Sequence, residues 1–89
     1  MNTPEEEIFK FPCRFPIKAM GLATEDIFGL FLVILKSHGA APHPDDMVWR
    51  KSGQGKYISV TATIHATSRQ QLDDIYMDLH KDERIRYVL

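Results

Sequence analysis

The amino-acid sequence predicts an α+β fold, in which two helices cover one face of a four-stranded antiparallel sheet. The segment Tyr57 to Thr67 alternates apolar and polar side chains, which is typical of a half-buried strand. Around it, three further segments have an extended pattern and two have a helical spacing of apolar residues, in the order β-α-β-β-α-β. This order is the ferredoxin-like arrangement, and right-handed crossovers place both helices on the same face.

Length and composition indicate one folded domain. The chain has 89 residues, with 44% hydrophobic and 26% charged residues, which are values near globular averages. Residues 1–8 contain three glutamates and few apolar side chains, so we expect a flexible acidic tail there and a single domain over residues 9–89. The formal net charge of -1 argues against the broad basic surface of a dedicated nucleic-acid binder.

The sequence also predicts a cytoplasmic protein that stays out of the membrane. Cys13 is the only cysteine, which excludes an internal disulfide. The N-terminus is acidic where a signal peptide would be basic, and no apolar run approaches the roughly 18 residues needed to span a bilayer.

The first strand and the first helix follow from the N-terminal half. The strand is predicted from Phe15 onward, with Lys18 on the side away from the core, and Gly21 is expected to mark the turn that ends it. The helix is predicted to begin at Thr24, whose hydroxyl can cap it, and to stop at Gly39.

The first helix has a wider apolar surface than one core stripe requires. Its predicted core positions are Ile27, Leu30, Phe31, Ile34 and Leu35. Phe28 and Leu32, which are four residues apart, add to this surface. They are either flanks of a broad core stripe or part of a contact between subunits, and the second interpretation predicts a homodimer.

The C-terminal half supplies the remaining elements. A short strand from Met47 to Lys51 is joined by a glycine-containing hairpin turn to the strand at Tyr57. Ser68 and Gln71 fit the capping box of a second helix, whose core stripe includes Leu72, Ile75, Tyr76 and Leu79.

The last strand, from Arg84 to Leu89, is predicted to place Ile85, Tyr87 and Leu89 on one side and Arg84, Arg86 and Val88 on the other. Strands one and three are expected at the centre of the sheet. The sheet face without helices should then display polar residues: Lys18, Ser59, Thr61, Thr63, His65 and Arg86.

No group of residues predicts a reaction centre, a metal site or a cofactor site. The turn from Gly53 to Lys56 lacks the earlier glycine and the following helix of a phosphate loop. The cluster from His43 to Asp46 supplies two metal ligands at most. Cys13 has no neighbouring base to activate it. We therefore expect a protein that is not an enzyme.

An RNA-binding module is the alternative, because RNA-recognition domains share this order of elements. They stack bases on aromatic residues of the two central strands. The only aromatic residue predicted on the exposed face is Tyr57, so the sequence argues against this alternative.

Three segments resemble the YbeD-like family of small uncharacterised bacterial proteins: Phe11 to Gly21, Ser52 to Thr67, and Ile85 to Leu89. The resemblance implies a ferredoxin-like fold similar to ACT-type regulatory domains, which pair their sheets and bind small effectors near the loop after strand one. It also suggests an accessory role in lipoate attachment, because genes of the family often lie beside those for that process.

The loop that corresponds to the ACT effector site runs from Met20 to Thr24. Glu25 and Asp26 follow it and disfavour an anion at this helix start, so an effector held there should present an amine or neutral polar groups.

These observations favour a regulatory or binding module for a small effector or a protein partner. The predicted binding residues are Lys18, Gly21, Thr61, Thr63 and Arg86, and the predicted residues of self-association are Phe28 and Leu32. The sequence leaves open which molecule is bound and whether the sheet face or the first helix makes the contact.

Overall fold

Four antiparallel strands and two helices follow one another in the predicted order within residues 10–89. The computed structural model describes residues 10–89, and the predicted acidic tail over residues 1–8 lies outside the described residues. The elements are β1 (Cys13–Leu22), α1 (Ile27–Ser37), a 3-10 helix (Pro44–Asp46), β2 (Met47–Ser52), β3 (Tyr57–Ala66), α2 (Arg69–Lys81) and β4 (Ile85–Val88). The strand order β2-β3-β1-β4 confirms the ferredoxin-like fold, with β1 and β3 at the centre.

One face of the sheet and the two helices enclose the core. The alternation of β3 buries its apolar side chains against the helices, as the sequence predicts. Each helix contributes three buried residues at helical spacing: Ile27, Phe31 and Leu35 from α1, and Leu72, Ile75 and Leu79 from α2. Leu30 and Ile34, which are predicted core positions, are only partly buried and pack against its edge.

The start of α1 differs from the prediction. Its N-cap is Asp26, whose carboxylate accepts a hydrogen bond from the Gly29 N–H at 2.9 Å. Thr24 does not cap the helix because β1 continues to Leu22 and a turn follows, in which the Glu25 N–H donates to the Leu22 carbonyl at 3.0 Å.

The end of α1 follows the predicted glycine stop. Gly39 has a φ of 69°, and its N–H donates to the Lys36 carbonyl at 3.0 Å. The N–H of Ala40 donates to the Leu35 carbonyl at 2.9 Å, and Ala40 is itself buried. These two bonds satisfy the last carbonyls of the helix in a Schellman arrangement.

The start of α2 confirms half of the predicted capping box. The Ser68 hydroxyl accepts from the Gln71 N–H at 3.1 Å. The Gln71 side-chain oxygen accepts from the Thr67 N–H at 2.8 Å rather than from Ser68, and its amide nitrogen donates to the His38 carbonyl at 3.0 Å. Gln71 therefore ties the start of α2 to the end of α1.

Gly21 lies inside β1 and does not mark a turn, which corrects the prediction. A Cβ atom at this position would meet the Arg84 carbonyl oxygen, just before β4, and would lie 2.5 Å from Ile27 Cδ1. Glycine is required here because the residue that leads into β4 and the start of α1 both approach the backbone too closely for a side chain.

The sides of β4 also differ from the prediction, because a β-bulge interrupts its pairing with β1. Gly21 pairs with Ile85, but Met20 pairs with Tyr87, so Arg86 is the extra residue. Ile85 is buried on the helix side, whereas Tyr87 is 67% exposed on the opposite side. Val88, which the prediction places away from Ile85, packs against the core.

Within residues 10–89, neither α1, with 11 residues, nor α2, with 13, combines the length and the apolar character that a membrane-spanning helix needs.

Candidate functional site

The sheet face without helices is the candidate site, and the register of the strands arranges its side chains in rows. We call this surface the open face and define it by three rows of residues that run from β2 towards β4. They are Val48, Thr61 and Lys18; Arg50, Ser59, Met20 and Tyr87; and Ser52, Tyr57 and Leu22. The bulge residue Arg86 lies beside the third row.

Charge is distributed unevenly between the two layers of the fold. None of the four strands contains an aspartate or a glutamate, whereas α2 carries Asp73, Asp74 and Asp78. The open face therefore presents positive charge only, although the net charge of the whole chain is -1.

Two arginines at the ends of the strands are neutralised by ion pairs. Arg14 donates to Asp46 at 2.9 Å, and Arg84 donates to Asp82 at 2.8 Å. Lys18, Arg50 and Arg86 have no ion-pair partner among residues 10–89. These three cations are available to a ligand.

One concavity of the open face is lined mainly by polar atoms. It has a volume of about 210 Å³, and we call it the polar hollow. Its lining residues are Lys18, Val48, Trp49, Arg50, Ser59 and Thr61. Ser59, which the sequence predicts as a displayed residue, is only 5% exposed because it lies between Arg50 and Met20 in its row.

A second and larger concavity lies at the β4 side of the open face. It has a volume of about 750 Å³ and is lined mainly by apolar and aromatic side chains, and we call it the tyrosine pocket. Its lining residues are Met20, Leu22, Lys56, Tyr57, Arg86 and Tyr87. The Lys56 ammonium lies 5.5 Å from the centroid of the Tyr57 ring, within the range of a cation–π interaction.

The bulge in β4 builds one wall of the tyrosine pocket. In a regular strand Ile85 and Tyr87 would point to the same side, so a buried Ile85 would bring Tyr87 into the core. The extra residue Arg86 lets Ile85 stay buried while Tyr87 faces outward beside Met20. Bulges commonly redirect side chains in this way next to binding sites.

The turn before β4 is braced by Asp82 and Arg84. One carboxylate oxygen of Asp82 accepts from the Arg84 backbone N–H and from Nε, each at 3.0 Å, and the other accepts from Nη2 at 2.8 Å. The hydrogen bonds from the Arg84 side chain lower the pKa of the Asp82 carboxyl below its ordinary value. The carboxylate stays ionised at neutral pH and fixes the position of Arg84, which leads into the bulged strand.

The predicted binding residues are not all brought together. Lys18 and Thr61 pair across β1 and β3 and line the polar hollow. Thr63 lies beyond the first row, opposite Pro16, and Arg86 lines the tyrosine pocket. Gly21 is buried beneath the bulge and presents no side chain, so it shapes the site without being able to contact a ligand through one.

The predicted residues of self-association lie in the other layer of the molecule. Phe28 and Leu32 are partly buried on one flank of α1 and pack against the core. Val33, on the outer side of the same helix, is 64% exposed.

Sequence reasoning missed most of the tyrosine pocket. Strict alternation predicts that Tyr87 lies on the side of Ile85, and the pattern places Met20 and Leu22 only in strand one or in the loop after it. The one available signal was Val88, which is a second apolar residue that the predicted pattern placed away from the core.

The described residues offer no local group for metal chemistry. Among residues 10–89, no three histidine, cysteine, aspartate or glutamate side chains are placed to hold one ion. The open face itself offers positive charge, hydroxyl groups and aromatic surface.

Comparison with known proteins assigns the chain to a family. Residues 6–89 match the family described as a protein of unknown function, DUF493. A UPF0250 protein of Chromobacterium violaceum is 37% identical over 89 residues, covering 100% of both chains. A UPF0250 protein of Nitrosomonas europaea is 41% identical over 87 residues, covering 96% of this chain and 98% of the relative. No solved structure matches the chain. The chain therefore belongs to the DUF493 family of bacterial UPF0250 proteins, the YbeD-like family that its sequence resembles.

Proposed function

We propose that this protein is a non-enzymatic regulatory module that binds an acidic surface of a protein partner through its open face. The observation that carries the proposal is the separation of charge: the four strands contain no aspartate or glutamate, and Lys18 and Arg50, at the polar hollow, have no ion-pair partner within residues 10–89. Complementary charge across an interface speeds association and excludes wrong partners.

An exposed apolar residue of the open face supports a protein as the partner. Val48, beside the polar hollow, is 63% exposed. Trp49 also lines the hollow and is 55% exposed, but it pairs with the buried Val60 and so belongs to the other side of β2. Protein interfaces combine a few apolar anchors with a polar rim, and arginine is enriched among the residues that dominate their binding energy.

Reversal of charge in the polar hollow tests this proposal. We expect Lys18→Glu combined with Arg50→Glu to abolish retention of a protein partner from a native bacterial lysate, because two attractive contacts become repulsive. The measurement is capture on the tagged protein, followed by mass spectrometry. Because the family resemblance points to lipoate attachment, components of that process are the first partners to look for.

Lys51→Glu combined with Lys81→Glu is the matched control, since it makes the same change in net charge outside the open face. The proposal requires a protein that the wild type and the control retain and the Lys18/Arg50 variant loses, in the presence of ribonuclease. Equal retention by all three proteins contradicts it.

RNA binding is the second candidate function, and the position of Tyr87 favours it. The open face carries two tyrosines, Tyr57 and Tyr87, rather than the one that the sequence predicts. Stacking on such side chains supports single-stranded RNA binding. In that case, retained material should be lost on ribonuclease treatment, and affinity should fall steeply as salt is raised.

We further propose that the protein forms a homodimer through α1. This helix has only one charged residue, Lys36, and its flank at Phe28 and Leu32 is not fully covered by the rest of the domain. We expect Phe28→Glu to convert a wild-type dimer into a folded monomer, because the carboxylate would be desolvated in the contact.

Sedimentation equilibrium with circular dichroism measures this change. Met77→Glu is the control, because Met77 is 58% exposed on α2 and should leave the dimer intact. A wild-type protein that sediments as a monomer at high concentration removes the proposal.

A further inference from the structure

We propose that the tyrosine pocket binds a small organic anion that has a flat aromatic body. The tyrosine pocket lies on the β4 side of the open face and the polar hollow on the β2 side, and they share no lining residue. Binding of the ligand is therefore independent of the proposed function, and only its regulatory role rests on that function. The ligand would act as an effector beside the surface offered to the partner.

The shape of the pocket suits a small molecule. Its volume of about 750 Å³ lies within the range of about 300–1,000 Å³ that is usual for small-molecule sites. Tyr57 and Tyr87 belong to the strands on either side of β1 and pair with Leu22 and Met20, so their backbones lie about 10 Å apart across the sheet and about 7 Å apart along it, roughly 12 Å in all. A planar ring can lie between these two side chains.

The floor of the pocket is apolar. Met20 and Leu22 lie on β1, each beside one of the two tyrosines: Met20 pairs with Tyr87, and Leu22 pairs with Tyr57. A thioether packs favourably against an aromatic ring, both of the protein and of a bound ligand. The floor therefore favours an aromatic body over a fully polar one such as a sugar.

The charge of the lining favours an anion, in contrast to the amine or neutral group predicted for the loop from Met20 to Thr24, because Glu25 and Asp26 do not line the pocket. Among residues 10–89, Lys56 and Arg86 are the two ionised residues that line the pocket, and no carboxylate lines it. A guanidinium group can donate two parallel hydrogen bonds to a carboxylate or a phosphate. The anionic group of the ligand would meet Arg86 and Lys56, while its ring lies over Met20.

The walls are held by contacts that do not involve the ligand. The Ala23 N–H donates to the Lys56 carbonyl at 2.8 Å, which ties the β2–β3 hairpin to the end of β1. On the other side, the bulge sets Arg86 and Tyr87, and the absence of a side chain at Gly21 lets β4 approach. A site that is already formed loses less entropy when it binds a ligand.

Two pairs of probes test the pocket, each consisting of an anion and its neutral counterpart. They are 3-phenylpropionate with 3-phenylpropanamide, and adenosine monophosphate with adenosine. Binding is measured by titration of the isotope-labelled protein, following its backbone amide signals by NMR. We expect an anion to bind at least about tenfold more tightly than its neutral counterpart, with the largest shifts at residues 20–22, 56–57 and 86–87.

Two variants then separate the contribution of the Arg86 charge to the affinity from that of the contact between Tyr87 and the ring of the probe. Arg86→Gln should remove most of the preference for the anion, and Tyr87→Ala should weaken both members of a pair. Lys51→Gln, which removes a positive charge outside the pocket, should leave binding unchanged. Circular dichroism establishes that each variant is folded.

The outcomes show whether the anionic group is a carboxylate or a phosphate, and they test the tyrosine pocket separately from the proposed partner surface. A preference for 3-phenylpropionate identifies a carboxylate ligand, and a preference for adenosine monophosphate identifies a phosphate ligand; either supports the inference. Failure of both anions to bind at millimolar concentration, equal binding of anion and neutral probe, or shifts located elsewhere overturns it. Loss of partner capture in the Lys18/Arg50 variant is measured separately and bears only on the proposed function.

Discussion

Gly21→Ala is expected to lower the free energy of unfolding by about 3 kcal/mol, because a methyl group has no room at this position. The new Cβ would meet the Arg84 carbonyl oxygen and would lie 2.5 Å from Ile27 Cδ1. Neither neighbour moves freely: Arg84 is braced by Asp82, and Ile27 is fully buried at the start of α1. The melting temperature should fall by about 15 °C.

Urea unfolding followed by circular dichroism measures the loss, with Thr63→Ala as the control. Thr63 lies on the outward side of β3, and its replacement should lower the free energy of unfolding by less than about 1 kcal/mol. Because β4 must move to admit the new methyl group, amide signals of Arg86 and Tyr87 should also shift in Gly21→Ala. Equal melting temperatures of Gly21→Ala and wild type would show that β4 does not pack on Gly21.

Phe31→Ala should be the second strongly destabilising change, lowering the free energy of unfolding by about 3–5 kcal/mol. Phe31 is fully buried at the centre of the core-facing side of α1, so the substitution leaves a cavity among residues of the sheet and of both helices. A domain of this size has a total stability of about 5–13 kcal/mol, so the variant should lose a large part of it.

The control for this change lies two residues away on the same helix. Val33→Ala should alter the free energy of unfolding by less than about 0.5 kcal/mol, because Val33 is 64% exposed. A large loss in Val33→Ala would mean that another copy of the chain covers the outer side of α1, which would support the proposed dimer. An equal and small loss in both variants would contradict the core position of Phe31.

The order of elements and the faces of β1 and β3 were predictable because they depend on local patterns. Ile17 and Ala19 alternate with Lys18, and Val60 and Ala62 alternate with Thr61. Because successive side chains of a strand point to opposite faces of the sheet, burial of the apolar residues places Lys18 and Thr61 on the other face. The end of α1 was equally predictable, since Gly39 adopts a positive φ that other residues rarely take.

The start of α1 was predicted less well, since three residues in a row compete for its cap. Thr24, Glu25 and Asp26 all carry side-chain oxygens, and which of them caps depends on where β1 stops. The continuation of β1 to Leu22, paired with Tyr57, leaves Thr24 in a turn and gives the cap to Asp26.

The ferredoxin-like order, the central strands and the positive charge of the outward positions on β1 follow from local patterns in the sequence. The position of Tyr87 beside Tyr57 on the open face does not, because it depends on the bulge in β4. A bulge forms where two strands must adjust their register while keeping their buried residues, and here Ile85 and Val88 both need the core. That requirement arises from contacts between residues about 65 positions apart, Gly21 and Ile85 among them, which no local pattern records.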